Sequence, residues 1–188
     1  MVSIKKVAVT FLAAALLAVG AMALTGCGQN SEEVVREGVA AELDKLKNLD
    51  DETLQLLASE SGASSLATYG IDAEEFVTSY LSGFDYRIDD VTVDGNNATA
   101  TVVLTCKSFS EYTKGLEDAT DAMTKDESVL SMSSDELNNK IGETVMNTIA
   151  EVPTAETDPI ELTFTLEGNE WTPTSATEQA IATALFSN

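Results

Sequence analysis

Cys27 is the residue whose surroundings most plainly invite chemistry. Its thiol follows a small residue in Leu24-Thr25-Gly26-Cys27, downstream of Lys5, Lys6 and an uncharged run from Val7 to Leu24. A positive start, an apolar stretch too short and too rich in small residues for a membrane span, and a small residue at its end make residues 1–26 a signal peptide. Elsewhere the reactive groups are fewer than the length suggests. The 188 residues contain no histidine, which removes the commonest metal ligand, the commonest general base and every Ser-His or Cys-His nucleophile. The second cysteine, Cys106, continues the alternation Ala98, Ala100, Val102, Leu104 on one strand face, the position of a small buried hydrophobe rather than a nucleophile. The acids Asp85, Asp89, Asp90 and Asp94 are of the type that holds calcium, yet no glutamate stands six positions after Gly95 as an EF-hand loop requires. They are expected to be solvated turn residues, and no metal or cofactor site is expected. Two carboxylates in a cleft would suffice for glycoside hydrolysis. With 32 Asp and Glu in the chain, sequence singles out no such pair.

Those 32 acids face only 10 Lys and Arg, a formal net charge of −22 that becomes −24 once Lys5 and Lys6 are removed. So negative a chain lacks the basic surface that displaces counterions from nucleic acid, and an anionic bilayer repels it. The acids are spread without a long block, the pattern of a solvating surface. Residues 31–188 show no repeat, linker or low-complexity tract and fit one domain.

The elements that must position any site are legible from periodicity. Val35, Val39, Leu43 and Leu46 predict a helix over Ser31 to Asn48, with Asn30 or Ser31 as its cap. Asp50-Asp51 opens a second helix that Ser61-Gly62 closes, and Asp72 to Glu75 caps a third that ends before Gly83. Phe84 to Val93 alternates with a break near Asp89-Asp90, Asp94-Gly95 turns, and Asn97 to Lys107 returns as a partner strand. Its second face, Thr99, Thr101, Thr105 and Lys107, is expected to be wet. Ser110 starts a helix interrupted over Thr124 to Ser128, and a capping box at Ser133 to Glu136 begins another that Pro153 ends. Ile160 to Leu166 and Trp171 to Thr174 form a second hairpin, and a final helix runs from Ser175. The expected class is α+β, with about four antiparallel strands in two hairpins, helices packed on one face, and the order ααα-ββ-αα-ββ-α.

The box Leu24 to Cys27 resembles the lipobox of bacterial lipoproteins. That resemblance implies cleavage between Gly26 and Cys27, a diacylglyceryl group on the Cys27 thiol, and membrane attachment outside the cytoplasm through the short tether of residues 27–30. Two acyl chains give stable anchoring without a second signal. Cys106 would then have no disulfide partner within the chain. Together with Gly70-Ile71-Asp72, the Phe84 to Val93 strand, the Asp94-Gly95 turn and the Leu162-Thr163-Phe164 strand ending in Glu170-Trp171, the chain is similar to small Gram-positive cell-surface lipoproteins. Their domains are cystatin-like or resemble the nuclear transport factor two superfamily. That fold implies a pocket on the concave sheet face, for which Tyr86, Tyr112 and Trp171, with Phe109 and Phe164, are the aromatic candidates by position. The resulting expectation is a non-enzymatic surface domain that binds an envelope protein, a peptide or a wall polymer. The alternatives are a small-pocket enzyme using a carboxylate as acid or base, and a scaffold that dimerises through its wet sheet face.

Overall fold

The computed structural model describes residues 31–60 and 63–186. The export segment, the box Leu24 to Cys27 with its cleavage point, the tether and the Ser61-Gly62 helix end lie outside the described residues.

Helix α1, Ser31–Asn48, is followed by α2, Asp51–Glu60, a short α3, Ala63–Ala67, and α4, Ala73–Leu81. Four helices thus precede the sheet where periodicity predicts three; α3 is too short to show a period. Side chains that accept from backbone amides set two of the starts: Asp50 Oδ1 from Thr53 N at 2.8 Å, and Asp72 Oδ1 from Glu75 N at 3.0 Å. Strands β1, Asp85–Asp94, and β2, Asn97–Lys107, pair antiparallel, with a register shift between Ile88 and Asp90 where the sequence breaks its alternation. Gly95, at φ 60°, makes the turn.

Helix α5, Phe109–Thr124, starts one residue earlier than expected because Ser108, not Ser110, accepts from Glu111 N. A 3-10 turn, Glu127–Ser131, leads to α6, Ser134–Glu151, which opens with the expected reciprocal capping box between Ser133 and Glu136. Then come β3, Thr154–Glu156, β4, Ile160–Glu167, β5, Glu170–Pro173, and α7, Ser175–Phe186.

All pairings are antiparallel, in the order β1-β2-β4-β5, and β3 lies in line with β4 along the same side of β2. The gap between β3 and β4 contains Pro159, which has no N–H to give. Thr157 bridges it: its N–H donates to Leu104 O at 2.8 Å and its Oγ1 accepts from Leu104 N at 3.1 Å. The fully buried Leu104 therefore keeps both backbone partners where the ladder lapses.

The fold is α+β, an antiparallel sheet with its helices packed on one face, broadly the cystatin-like arrangement that was expected, with five strands rather than about four. The face of Ala98, Ala100, Val102, Leu104 and Cys106 is buried under α1, which packs on β1 and β2, and α7, which packs on β4. Buried Thr177 locks α7 down, its Oγ1 accepting from Thr163 N at 2.8 Å and donating to Thr163 O at 2.7 Å. Among the described residues no helix is long and apolar enough to cross a membrane.

Several carboxyls are held low by these local bonds. Hydrogen bonds from Thr53, its backbone N–H foremost, hold Asp50 below the usual carboxylate range. Asp126 and Glu136 are held low likewise, by Ser128 and by the Ser133 backbone. A carboxylate depressed in the folded state contributes stability that is present above its unfolded pKa and lost as pH falls through its folded one. Asp50→Ala is therefore expected to melt below wild type at pH 7, and the gap is expected to hold down to about pH 5 and to narrow as pH falls below about 4. Paired thermal melts check this. A gap independent of pH would show that Asp50 does not act through its charge.

Candidate functional site

Tyr86, Tyr112 and Trp171 are not brought together. Tyr86, on β1, faces α1: its hydroxyl proton is shared between Asp44 Oδ1 at 2.9 Å and Ala40 O at 3.0 Å, and Lys47 Nζ sits 5.9 Å from its ring centre. Partial burial and the Asp44 carboxylate push its phenol up to about 12. It fastens α1 to the sheet. Tyr112 is 5% exposed, in an aromatic cluster at the start of α5 in which Phe109 meets Tyr112 at 6.2 Å and Phe186 at 6.0 Å. Burial pushes its phenol up to about 12 as well. Trp171 is also 5% exposed and stands opposite Leu166, level with Asn96 at the hairpin end. Tyr86 is level with Leu104, eight residues further along β2, so about 26 Å of strand separates the two positions. Phe164 is buried in the core as well, opposite Ala98 and Pro173. The expected pocket aromatics Tyr112 and Trp171 are thus corrected to core packing. The inner face that a cone-shaped fold would leave concave is filled by α1 and α7.

Tyr80, buried on α4, donates to Leu185 O at 2.6 Å and stacks on Phe186 at 5.6 Å. The Cys106 thiol lies 3.8 Å from Ala184 O, buried as its alternation predicts.

The outer face of the sheet is open. Register puts Thr92, Thr99 and Thr163 in one row across β1, β2 and β4, and Asp90, Thr101 and Glu161 in the next. Thr165 and Thr172 continue the row of Asp94 and Asn97. These threonines are exposed or half-buried, and the acids among them, Asp90, Asp94 and Glu161, are exposed. Toward the other end Arg87 donates to Asp89 Oδ1 at 2.6 Å and reaches over β2 to Glu156 Oε1 at 3.0 Å. Val103 lies between those strands, directly opposite Arg87, and the bridge accounts for its burial on an otherwise wet face.

Lys107 is not on the wet face as expected. It is 6% exposed, and its Nζ donates to Ile149 O at 2.6 Å in the last turn of α6, where a helix presents unpaired carbonyls and negative potential. Desolvation lowers its pKa from the ordinary lysine value. Its distance in sequence from Ile149 is why alternation alone could not find this role.

Of the turn acids, Asp85 pairs with Lys47 at 2.7 Å, whose hydrogen bond holds its carboxyl low, and Asp89 pairs with Arg87. Among the described residues no group of three or more Cys, Asp or Glu is arranged to hold a metal ion. What remains is a field of uncharged hydroxyls bordered by exposed carboxylates, suited to hydrogen bonding along an extended polar partner. The Thr163 and Thr165 half of that field shows in the alternation of β4. Its alignment with Thr99 and Thr101 is a long-range pairing that no local pattern encodes. No family model matches the chain, and no characterised protein or solved structure matches it either.

Proposed function

We propose that the chain is a lipid-anchored domain outside the cytoplasm that binds a partner without catalysis and uses the open threonine face as its contact surface. The observation that carries the contact surface is the contrast between the two sides of one sheet. The inner side is packed under α1 and α7, whereas the outer side carries rows of threonines that are exposed or half-buried, the Thr163 hydroxyl bonded to that of Thr174. Hydroxyls offer donors and acceptors without the desolvation penalty of charges, which suits recognition of a peptide or wall polymer. The anchor rests on Leu24 to Cys27 and on a tether of a few residues before α1, which holds the domain near the bilayer.

Two labels in cells that make the protein test the two halves of this reading. Fed labelled palmitate, wild type is expected to carry the label and Cys27→Ala to lose it; label on both would remove the anchor. A photo-reactive phenylalanine analogue at position 101 is expected to crosslink an envelope component, whereas the same group at position 117 on α5 does not. Equal crosslinking from both positions would remove the contact surface.

A further inference from the structure

We propose that the open face is a docking surface for a lysine- or arginine-rich polypeptide segment lying across it in extended form. This rests on the reading of that face as the contact surface and adds the chemistry of what it holds. The cross-strand rows place Asp90 and Glu161 on either side of Thr101, and Asp94 at the end of the row through Asn97, Thr165 and Thr172. At the second hairpin Glu167 stands directly opposite Glu170, a like-charge pairing that works against the hairpin. None of the ion pairs formed among the described residues involves these five carboxylates. Arg87 on this face is committed to Asp89 and Glu156, and Lys107, at the end of β2, is buried against the end of α6. The result is a field of one sign laid over neutral hydroxyls, an arrangement that folding stability alone disfavours and that a cationic occupant would relieve.

The spacing selects an extended chain. Along one strand the outward side chains repeat about every 6.6 Å, and adjacent strands lie about 4.8 Å apart. An extended segment shows its own side chains at the same two-residue period. A segment with a basic residue, a hydroxyl residue two positions on and a second basic residue two beyond that would therefore lay those groups against Asp90, Thr92 and Asp94 of β1. A second copy of this chain is a poor occupant, since it would bring the same acids to the same face at a net charge of −22 or more negative.

The test uses the lipidated full chain on neutral phosphatidylcholine vesicles, titrated with a fluorescent peptide of about eight residues, Lys-Lys-Thr-Thr repeated, in which lysine and threonine alternate along each side of the extended chain. Binding is expected to saturate and to weaken about tenfold or more as sodium chloride rises from about 0.05 to about 0.3 M. The double variant Asp90→Lys with Glu161→Lys is expected to lose about tenfold or more in affinity. Glu117→Lys with Asp121→Lys, an equal charge change on α5, is expected to change it by less than about twofold. Thr101→Lys, a single change between the two acids, is expected to weaken binding even if the first double variant does not fold. Equal losses in the two double variants would overturn the proposal, because net charge alone would then govern binding. So would an absence of saturable binding, or wild-type dimers that Asp90→Lys with Glu161→Lys disperses, which would make a second copy the occupant. A chain that crosslinks in cells from position 101 but ignores this peptide sinks the present inference and leaves the contact surface standing.

Discussion

Replacing Gly142 by alanine is expected to cost about 3 kcal/mol and to lower the thermal midpoint by roughly 10 °C, although alanine is the better helix former. Gly142 is buried in α6, and a Cβ there would run into the carbonyl oxygen of Tyr69 while lying 3.1 Å from its carbonyl carbon and 3.3 Å from Ile71 Cγ1. The obstacle is backbone, in the turn between α3 and α4, so relief requires α6 to move as a body. The intrinsic gain from glycine to alanine in a helix is about 1 kcal/mol and does not offset that displacement. Gly115 in α5 supplies the control. A Cβ there would meet Thr148 Cγ2 at 2.8 Å, the tip of a side chain that can turn away, so Gly115→Ala is expected to stay within about 1 kcal/mol of wild type. Urea unfolding of both variants measures the difference, and equal midpoints would refute a close approach at Gly142. A displaced α6 would also carry Ile149 O away from Lys107 Nζ and return a desolvated cation to the sheet's end.

Local chemistry made much of this fold legible in advance. The capping box at Ser133 and Glu136, the Asp72 cap, the Gly95 turn and the irregularity beside Asp89 each depend on residues within a few positions of one another, and each is where periodicity and turn residues put it. What was not legible is non-local. Strand β3 has three exposed residues and no period of its own; it exists because Thr105 to Lys107 of β2 offers it an edge. Lys107 continues the alternation of a wet face, and only the arrival of α6 makes it a cap. Ser108 outcompetes Ser110 at the start of α5 because the chain leaves β2 at Lys107, so the cap falls to the first residue after the strand. The face now proposed for binding was half visible, since Thr99, Thr101 and Thr105 were expected to be wet. Its other half needed β4 placed beside β2, a pairing more than sixty residues apart in sequence for Thr99 and Thr163.

Trp171→Ala is expected to cost about 3 to 5 kcal/mol, because removing a buried indole leaves a cavity that a rigid interior closes only in part. Trp171 lies in the core cluster with Phe164, Ile181 and Leu185, under α7 on the inner side of the short strand β5. Trp171→Phe, which keeps a flat apolar ring, is expected to cost less than half as much. The same substitutions separate the two roles sequence allows for this residue. A tryptophan that stacks on a ligand would lose affinity on truncation with little loss of fold, whereas a core tryptophan loses fold first. It is the only tryptophan in the chain, so its emission reports on this one site. In the native protein the emission is expected to be blue-shifted and poorly quenched by acrylamide. It should stay so when a basic peptide saturates the opposite side of the sheet, because the backbone of β4 and β5 stands between indole and peptide. A red-shifted, readily quenched native signal, or one that moves with peptide, would return Trp171 to the binding surface and place the contact on the inner side of the sheet. Native stability that survives Trp171→Ala unchanged would do the same.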